Sequence, residues 1–206
     1  MLSIVLARRD FKENDQIISL FTEEKGKMEV LARGVKKIVS KNSAFLEPFF
    51  LVEAEIIPGK EVFHLGSVQP VNSFKKIRAD LGKSLLASYA VKLLDKLIPT
   101  LFPERQIFKL LASWLEFLDK TKSPGSFLLD AFVLKLFYFL GFDITKVKKL
   151  SLAQKKSLTG WLKAKWSQIG EEKGSLAQHT LIYRFAVYHS ERKLKDWQKL
   201  ANFSEI

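Results

Sequence analysis

The stretch Lys27-Met28-Glu29-Val30-Leu31-Ala32-Arg33, continued by Gly34-Val35-Lys36-Lys37-Ile38-Val39-Ser40-Lys41, changes character at its middle. In the first half Met28, Val30 and Ala32 alternate with Lys27, Glu29 and Arg33. A strand sends successive side chains to opposite faces, so this half reads as a strand with one buried and one wet face. In the second half the alternation stops and cations accumulate. Toward the N-terminus, Glu23-Glu24-Lys25-Gly26 reads as a hairpin connection, because glycine can take a positive φ. Gln16 to Thr22 and Leu2 to Ala7 precede it as two further β-prone runs. Toward the C-terminus, Phe45 to Ile57 reads as one long strand, with Phe50, Val52, Ala54 and Ile56 on one face and Glu53 and Glu55 on the other. Pro58-Gly59-Lys60 is a turn, and Glu61 to Gln69 returns as a fifth strand. Five short, mostly antiparallel strands in succession suggest a small closed barrel.

Beyond residue 72 the period changes to that of helices. Leu86, Ala90, Leu93 and Leu97 recur at helical spacing before Pro99. Pro103 suits the first turn of a helix carrying Ile107, Leu110, Leu111, Trp114, Leu115 and Leu118. Ser123-Pro124 reads as a cap and first turn. The helix it opens is apolar nearly all round to Leu140, which predicts a central place in a bundle, and Gly141 suits its end. Residues 146–173 read as part helix, part loop. Ser175 predicts the start of a helix to about Ser190, and Asp196 that of a last short one near Phe203. The expectation is an α+β chain in two domains: a five-stranded barrel over 1–72, then an all-α helical bundle over 73–206.

The chain has 206 residues, 47% hydrophobic, enough for a sizeable core. It has no cysteine, which removes disulfides, thiolate nucleophiles and cysteine-based metal sites. It opens with apolar residues before its charges, the reverse of a signal peptide, and no run reaches the length of a membrane span, so a soluble protein is expected. Catalysis has little support. The three histidines are His64, His179 and His189, and the last two are ten apart on one helix, facing different ways. There is no glycine-rich phosphate loop; Gly170 to Gly174 carries paired glutamates that would repel phosphate. Glu53 and Glu55 read as solvated strand residues. No enzyme, cofactor or metal is expected.

Charge points to a polyanionic partner. Lys and Arg number 34 against 22 Asp and Glu, a net charge of +12. Residues 1–78 hold 13 basic against 10 acidic residues, and residues 79–206 hold 21 against 12. Two concentrations stand out. Arg33, Lys36, Lys37 and Lys41 occupy the loop after the third strand with no acidic neighbour in sequence, and Gly34 would let the loop's backbone approach a strand. Cations so placed displace condensed counterions from a nucleic-acid backbone, and Phe45 or Phe49 nearby could stack bases. Lys146, Lys148, Lys149, Lys155, Lys156, Lys163 and Lys165 form the second group, with no acidic residue among them. Within it Lys148, Lys149, Lys155 and Lys156 are the candidate DNA contacts. Solvated loops that confer only solubility are the plain alternative for both groups. A basic amphipathic surface could also meet an anionic membrane, but the apolar stripes are needed for the bundle core.

Several motifs stand together in order. Asn14-Asp15-Gln16-Ile17-Ile18 leads to Leu20-Phe21-Thr22-Glu23-Glu24-Lys25-Gly26-Lys27, then to Val30-Leu31-Ala32-Arg33-Gly34-Val35-Lys36-Lys37, Ser40-Lys41 and Leu46-Glu47-Pro48-Phe49. This succession resembles the N-terminal signature of the bacterial DNA repair and recombination mediator RecO family. The stretch Leu181 to Asn202, with Tyr188-His189-Ser190-Glu191-Arg192-Lys193-Leu194-Lys195, is similar to that family's closing helices. The resemblance implies an OB-fold barrel followed by a helical domain. It implies binding of single- and double-stranded DNA, annealing of complementary strands, and loading of RecA onto DNA coated with single-stranded-DNA-binding protein (SSB). The implied partners are RecR and the acidic C-terminal tail of SSB, with RecF and RecA as further candidates, in the cytoplasm at the nucleoid. An OB-fold module binding RNA is the competing reading. Many members of the family carry a four-cysteine zinc module in the helical domain; this chain cannot, and the lysine-rich run at 146–173 stands in that region.

Overall fold

Alternation along residues 27–33 becomes the strand that holds a barrel together. The computed structural model describes residues 1–38, 40–122, 124–125, 127–171 and 174–190. Its strands are β1 (Leu2–Asp10), β2 (Gln16–Thr22), β3 (Gly26–Ala32), β4 (Leu51–Ile57) and β5 (Phe63–Asn72). They close in the order β1-β2-β3-β5-β4. All neighbours are antiparallel except β3 and β5, whose parallel seam pairs Val30 with Phe63 and Leu31 with His64. The inward set is the alternating one: Val5, Ile18, Leu20, Met28, Val30, Ala32, Val52, Ala54 and Val68 form one buried cluster. At the β2–β3 hairpin Gly26 has φ +72°, and an added Cβ would lie 2.0 Å from the carbonyl oxygen of Phe102. Both the backbone angle and the space demand glycine there.

Two expectations about strands change. First, the run from Phe45 to Ile57 is not one strand. Ser43–Phe45 is a short 3-10 turn, and β4 begins only at Leu51. Pro48 has no N–H to give a ladder, and Phe49 takes φ +57°. The chain stays beside β1 through Phe49 N–H to Val5 O at 2.7 Å and Val5 N–H to Phe50 O at 2.9 Å. Second, β1 runs three residues further than its apolar pattern, through Arg8 and Arg9 to Asp10, past a bulge between Val5 and Ala7.

Helices follow directly. α1 (Lys75–Arg78), α2 (Leu81–Leu97) and α3 (Arg105–Lys120) come after β5. Asp80 caps α2, accepting from Lys83 N–H at 3.0 Å. α2 packs on β1, and Ser19 Oγ on β2 donates to Asp95 on α2 at 2.6 Å. Every apolar residue expected to face inward on α3 is buried. Arg78 works as a clamp. Its guanidinium lies 4.4 Å from the centre of the Phe49 ring and 4.1 Å from that of Phe50, and donates to the carbonyls of Ser73 and Pro48. Burial lowers its pKa, and Glu47 opposes that shift. The change from strand to helix falls at Asn72 as expected, while the compact unit that contains the barrel runs from Met1 to Asp119.

The second compact unit starts at Lys120. It contains α4 (Phe127–Phe139), α5 (Leu152–Lys163), α6 (Trp166–Glu171) and α7 (Leu176–Ser190). α4 is central, with α5, α6 and α7 all packed against it. Its buried face includes Asp130, both of whose carboxylate oxygens meet His179 Nδ1 of α7, at 2.9 and 3.0 Å. Lys135 is half-buried and donates to the carbonyls of Leu162 and Ala164 at 2.9 and 2.8 Å, which satisfies the C-terminal end of α5. Desolvation lowers its pKa. Ser151 starts α5 with a reciprocal capping box to Gln154, and Ser175 Oγ accepts from Gln178 N–H at the start of α7. Gly141 ends α4 at φ +90°. Residues 146–171 are thus largely helical. The expected caps at Ser123 and Asp196 lie outside the described residues. Among the described residues no helix is long and apolar enough to cross a membrane.

Candidate nucleic-acid interface

The loop that follows β3 is built from turns anchored at several points. Val35 is 3% exposed and belongs to the barrel's core cluster, so it plugs the loop onto the barrel. Lys37 N–H donates to Gly34 O and Ser40 N–H to Lys37 O, which makes two successive turns. Arg33, Lys36, Lys37 and Lys41 are all exposed. Val39 lies outside the described residues. Beyond Lys41, Asn42 Nδ2 donates to Gly66 O and fixes the far end of the loop.

The loop has acidic neighbours that its own sequence does not show. The β1–β2 connection, Phe11 to Asp15, lies against it. Gly34 takes φ +63° and donates its N–H to Asp15 Oδ1 at 2.8 Å. Lys36 N–H donates to Asn14 O, and Lys36 Nζ pairs with Asp10 Oδ2 at 2.9 Å. A hydrogen bond from Gln16, and then one from Lys36, hold the Asp10 carboxyl below its ordinary range. Gly34's amide is therefore engaged with Asp15 and is not a free contact for a nucleic-acid strand. Arg33, Lys37 and Lys41 have no ion pair among the described residues. Three cations stand open, and a fourth is held by a carboxylate.

The expected stacking aromatics are engaged elsewhere. Phe49 is 6% exposed and carries the Arg78 guanidinium on its ring. Phe45 packs against the barrel core and meets Phe50 edge-on. Phe49 offers no open ring face to a base, and Phe45 is partly buried. Phe11, at the start of the β1–β2 connection, is 51% exposed, with Lys12 Nζ over its ring. Sequence reading missed it because a lone aromatic among polar residues has no period to mark it.

In the second unit, Lys148 and Lys149 lie in the turn before α5, and Lys155 and Lys156 on its first turns. Lys148, Lys149 and Lys156 are exposed and Lys155 is partly so. None of the four has an ion pair among the described residues. Crowded near the positive end of α5, these charges repel one another and the helix dipole. Beside them α5 and α7 enclose a groove of about 210 Å³ lined by Ala153, Gln154, Ser157, Leu158, Gln178 and Leu181, among others.

Among the described residues, those with metal-binding chemistry do not gather in one place. The chain has no cysteine, and among the described residues no three His, Asp or Glu side chains group together. His179 is occupied by Asp130, and His189 lies in an aromatic cluster with Phe142, Phe185 and Tyr188. A zinc module of four thiolates has no ligands here. Of the strand carboxylates, Glu53 is exposed, and Glu55 accepts from Ser67 N–H and Oγ, which lowers its pKa.

Comparison with known proteins bears on both units. A family model described as recombination protein O, N terminal, matches residues 2–74, and one described as recombination protein O, C terminal, matches residues 78–145. Among similar curated proteins is the DNA repair protein RecO of Geobacter metallireducens, 37% identical over 118 residues, covering 57% of this chain and 48% of that protein. The protein of the same name from Symbiobacterium thermophilum is 34% identical over 139 residues, covering 68% and 55%. That of Clostridium novyi is 30% identical over 146 residues, covering 70% and 57%. The matched stretch spans about half the length of these curated relatives.

Proposed function

Because the chain belongs to the recombination protein O family, we propose that it is a non-enzymatic recombination mediator. On this reading it binds single- and double-stranded DNA and anneals complementary strands. With RecR, it helps load RecA onto single-stranded DNA coated with SSB. It would act in recombinational repair, in the cytoplasm at the nucleoid, with RecF as a further partner. The observation that carries the reading is the anchored loop after β3, which holds Arg33, Lys37 and Lys41 open at the barrel surface. Annealing needs no covalent chemistry. It needs charge neutralisation, so that two polyanionic strands can approach, and a surface that tolerates exchange of bases.

The four lysines about the start of α5 serve DNA in the same way. The groove between α5 and α7 suits the SSB tail: its lining mixes Leu158 and Leu181 with polar Gln154 and Ser157, and the lysines beside it favour an acidic chain.

The test is annealing of complementary oligonucleotides by the purified chain, with and without the coating protein. The expected result is faster annealing in both cases, and competition favouring DNA over RNA of equal length. No acceleration with naked strands, or a preference for RNA, would overturn the reading in favour of an RNA-binding barrel.

A further inference from the structure

Phe11 is 51% exposed on a barrel whose other aromatics are buried, such as Phe21, or partly buried, such as Phe63. Leaving apolar area in water forgoes the stabilisation that burial would give, so an exposed ring invites a partner. The backbone that carries the ring is held in a turn. Phe11 N–H and Lys12 N–H both donate to Asp15 O, at 3.1 and 3.4 Å, and Asp15 N–H returns to Lys12 O at 3.3 Å. The same turn is bonded to the basic loop through Asp15 to Gly34 and Asn14 to Lys36, with Asp10 holding the Lys36 ammonium just before it. Lys12 Nζ lies 5.5 Å from the ring centre. An exposed ring with a cation over it thus stands on a turn that is bonded to a loop of open cations.

We propose that Phe11 is a base-stacking residue: a nucleobase of single-stranded DNA lies on its ring while the flanking phosphates are held by Lys12, Arg33, Lys37 and Lys41. This rests on the DNA-binding reading above and adds to it a residue and a preference. Stacking accepts any base, because every base has a π face, so it contributes affinity without sequence choice. It also separates the two forms of DNA. In a duplex the base faces are covered by their neighbours, and only phosphates are presented. Phe11 therefore favours unpaired strands, while the cations serve both.

The experiment measures binding of wild type, Phe11→Ala and Phe11→Trp to three ligands of equal length: a single strand, the same strand with abasic sites throughout, and a duplex. Phe11→Ala should weaken binding of the base-bearing single strand by about 5- to 150-fold. It should leave the salt slope unchanged, since every cation is retained. Binding to abasic strand and duplex should match wild type, and Phe11→Trp should restore the single-strand affinity. Equal binding of the base-bearing strand by Phe11→Ala and wild type overturns the stacking role. So does an equal loss on all three ligands, which would mean that the ring only shapes the loop. If wild type binds the duplex and abasic strand but Phe11 has no effect anywhere, the DNA-binding reading stands and only the stacking falls. If wild type binds none of the three, both fall.

Discussion

Lys36 differs from its neighbours in the loop because it already has an anion. Its ammonium is held by Asp10 at 2.9 Å, whereas Arg33, Lys37 and Lys41 face solvent. A phosphate must displace that carboxylate to recruit Lys36, so Asp10 opposes binding. Asp10→Asn should therefore raise single-strand affinity and steepen the dependence of log K on log salt by about 0.7, the value of one further neutralised phosphate. The carboxyl's pKa is depressed below 3.8, so the pair is present above that range and is lost only as pH falls through the lowered value. Moving from pH 8 to pH 5 should leave this contribution unchanged, which a titration at the two pH values can check. Replacing Arg33, Lys36, Lys37 and Lys41 together by Ala should weaken binding and flatten the salt slope by about 0.7 for each phosphate no longer neutralised. An unchanged slope in a folded variant would make the loop a solvated one.

At the scale of elements, the β2–β3 hairpin depends on a glycine more than on any side chain. A methyl group at Gly26 meets the Phe102 carbonyl, in a backbone angle that L-residues avoid. Gly26→Ala should lower unfolding stability by more than about 1 kcal/mol, read from the midpoint of denaturant unfolding. This hairpin was legible in the sequence, and so were the barrel and α3, because alternation and helical spacing persist over whole elements. Legibility failed where the signal is a contact rather than a period. The run from Phe45 to Ile57 is dense in aromatic and β-prone residues and reads as one strand, yet Pro48 and Phe49 turn the chain within it. Asp130, inside an apolar helix, shows no sign in sequence of meeting His179, 49 positions away. The same holds for the candidate site. The basic residues were visible as a cluster, but Asp10 comes to them from the end of β1 and Asp15 from the β1–β2 connection, and Phe11 has no pattern to announce it.

For the whole molecule, two separate compact units each carry open cations, and the question is what each serves. Lys148→Glu, Lys149→Glu, Lys155→Glu and Lys156→Glu together reverse the charge around the start of α5 without touching Val35, Gly34 or any other anchor of the barrel loop. DNA affinity should fall while an acidic peptide ending in an apolar residue still enters the groove between α5 and α7, though more weakly for want of the positive charge. Fluorescence anisotropy with labelled oligonucleotide and labelled peptide separates the two. Loss of the peptide with DNA affinity retained would assign the lysines to the peptide instead.

Arg78 sets where this chain can be cut. It lies six residues beyond the last strand, yet it bonds to Pro48 O and covers Phe49 and Phe50, so it serves as the floor of a barrel it is not part of. Anyone transplanting the barrel as a DNA-binding module would be tempted to stop at Asn72, where the strands end. Such a piece would leave two phenylalanine rings uncovered and the outer face of β1 without α2. It should be recovered as aggregate, whereas a piece ending at Lys120 should be soluble and elute as a discrete species in size-exclusion chromatography. The useful unit of exchange between proteins is then the barrel with its three following helices, and a recombination event that respected only the strands would inherit a sticky half-module.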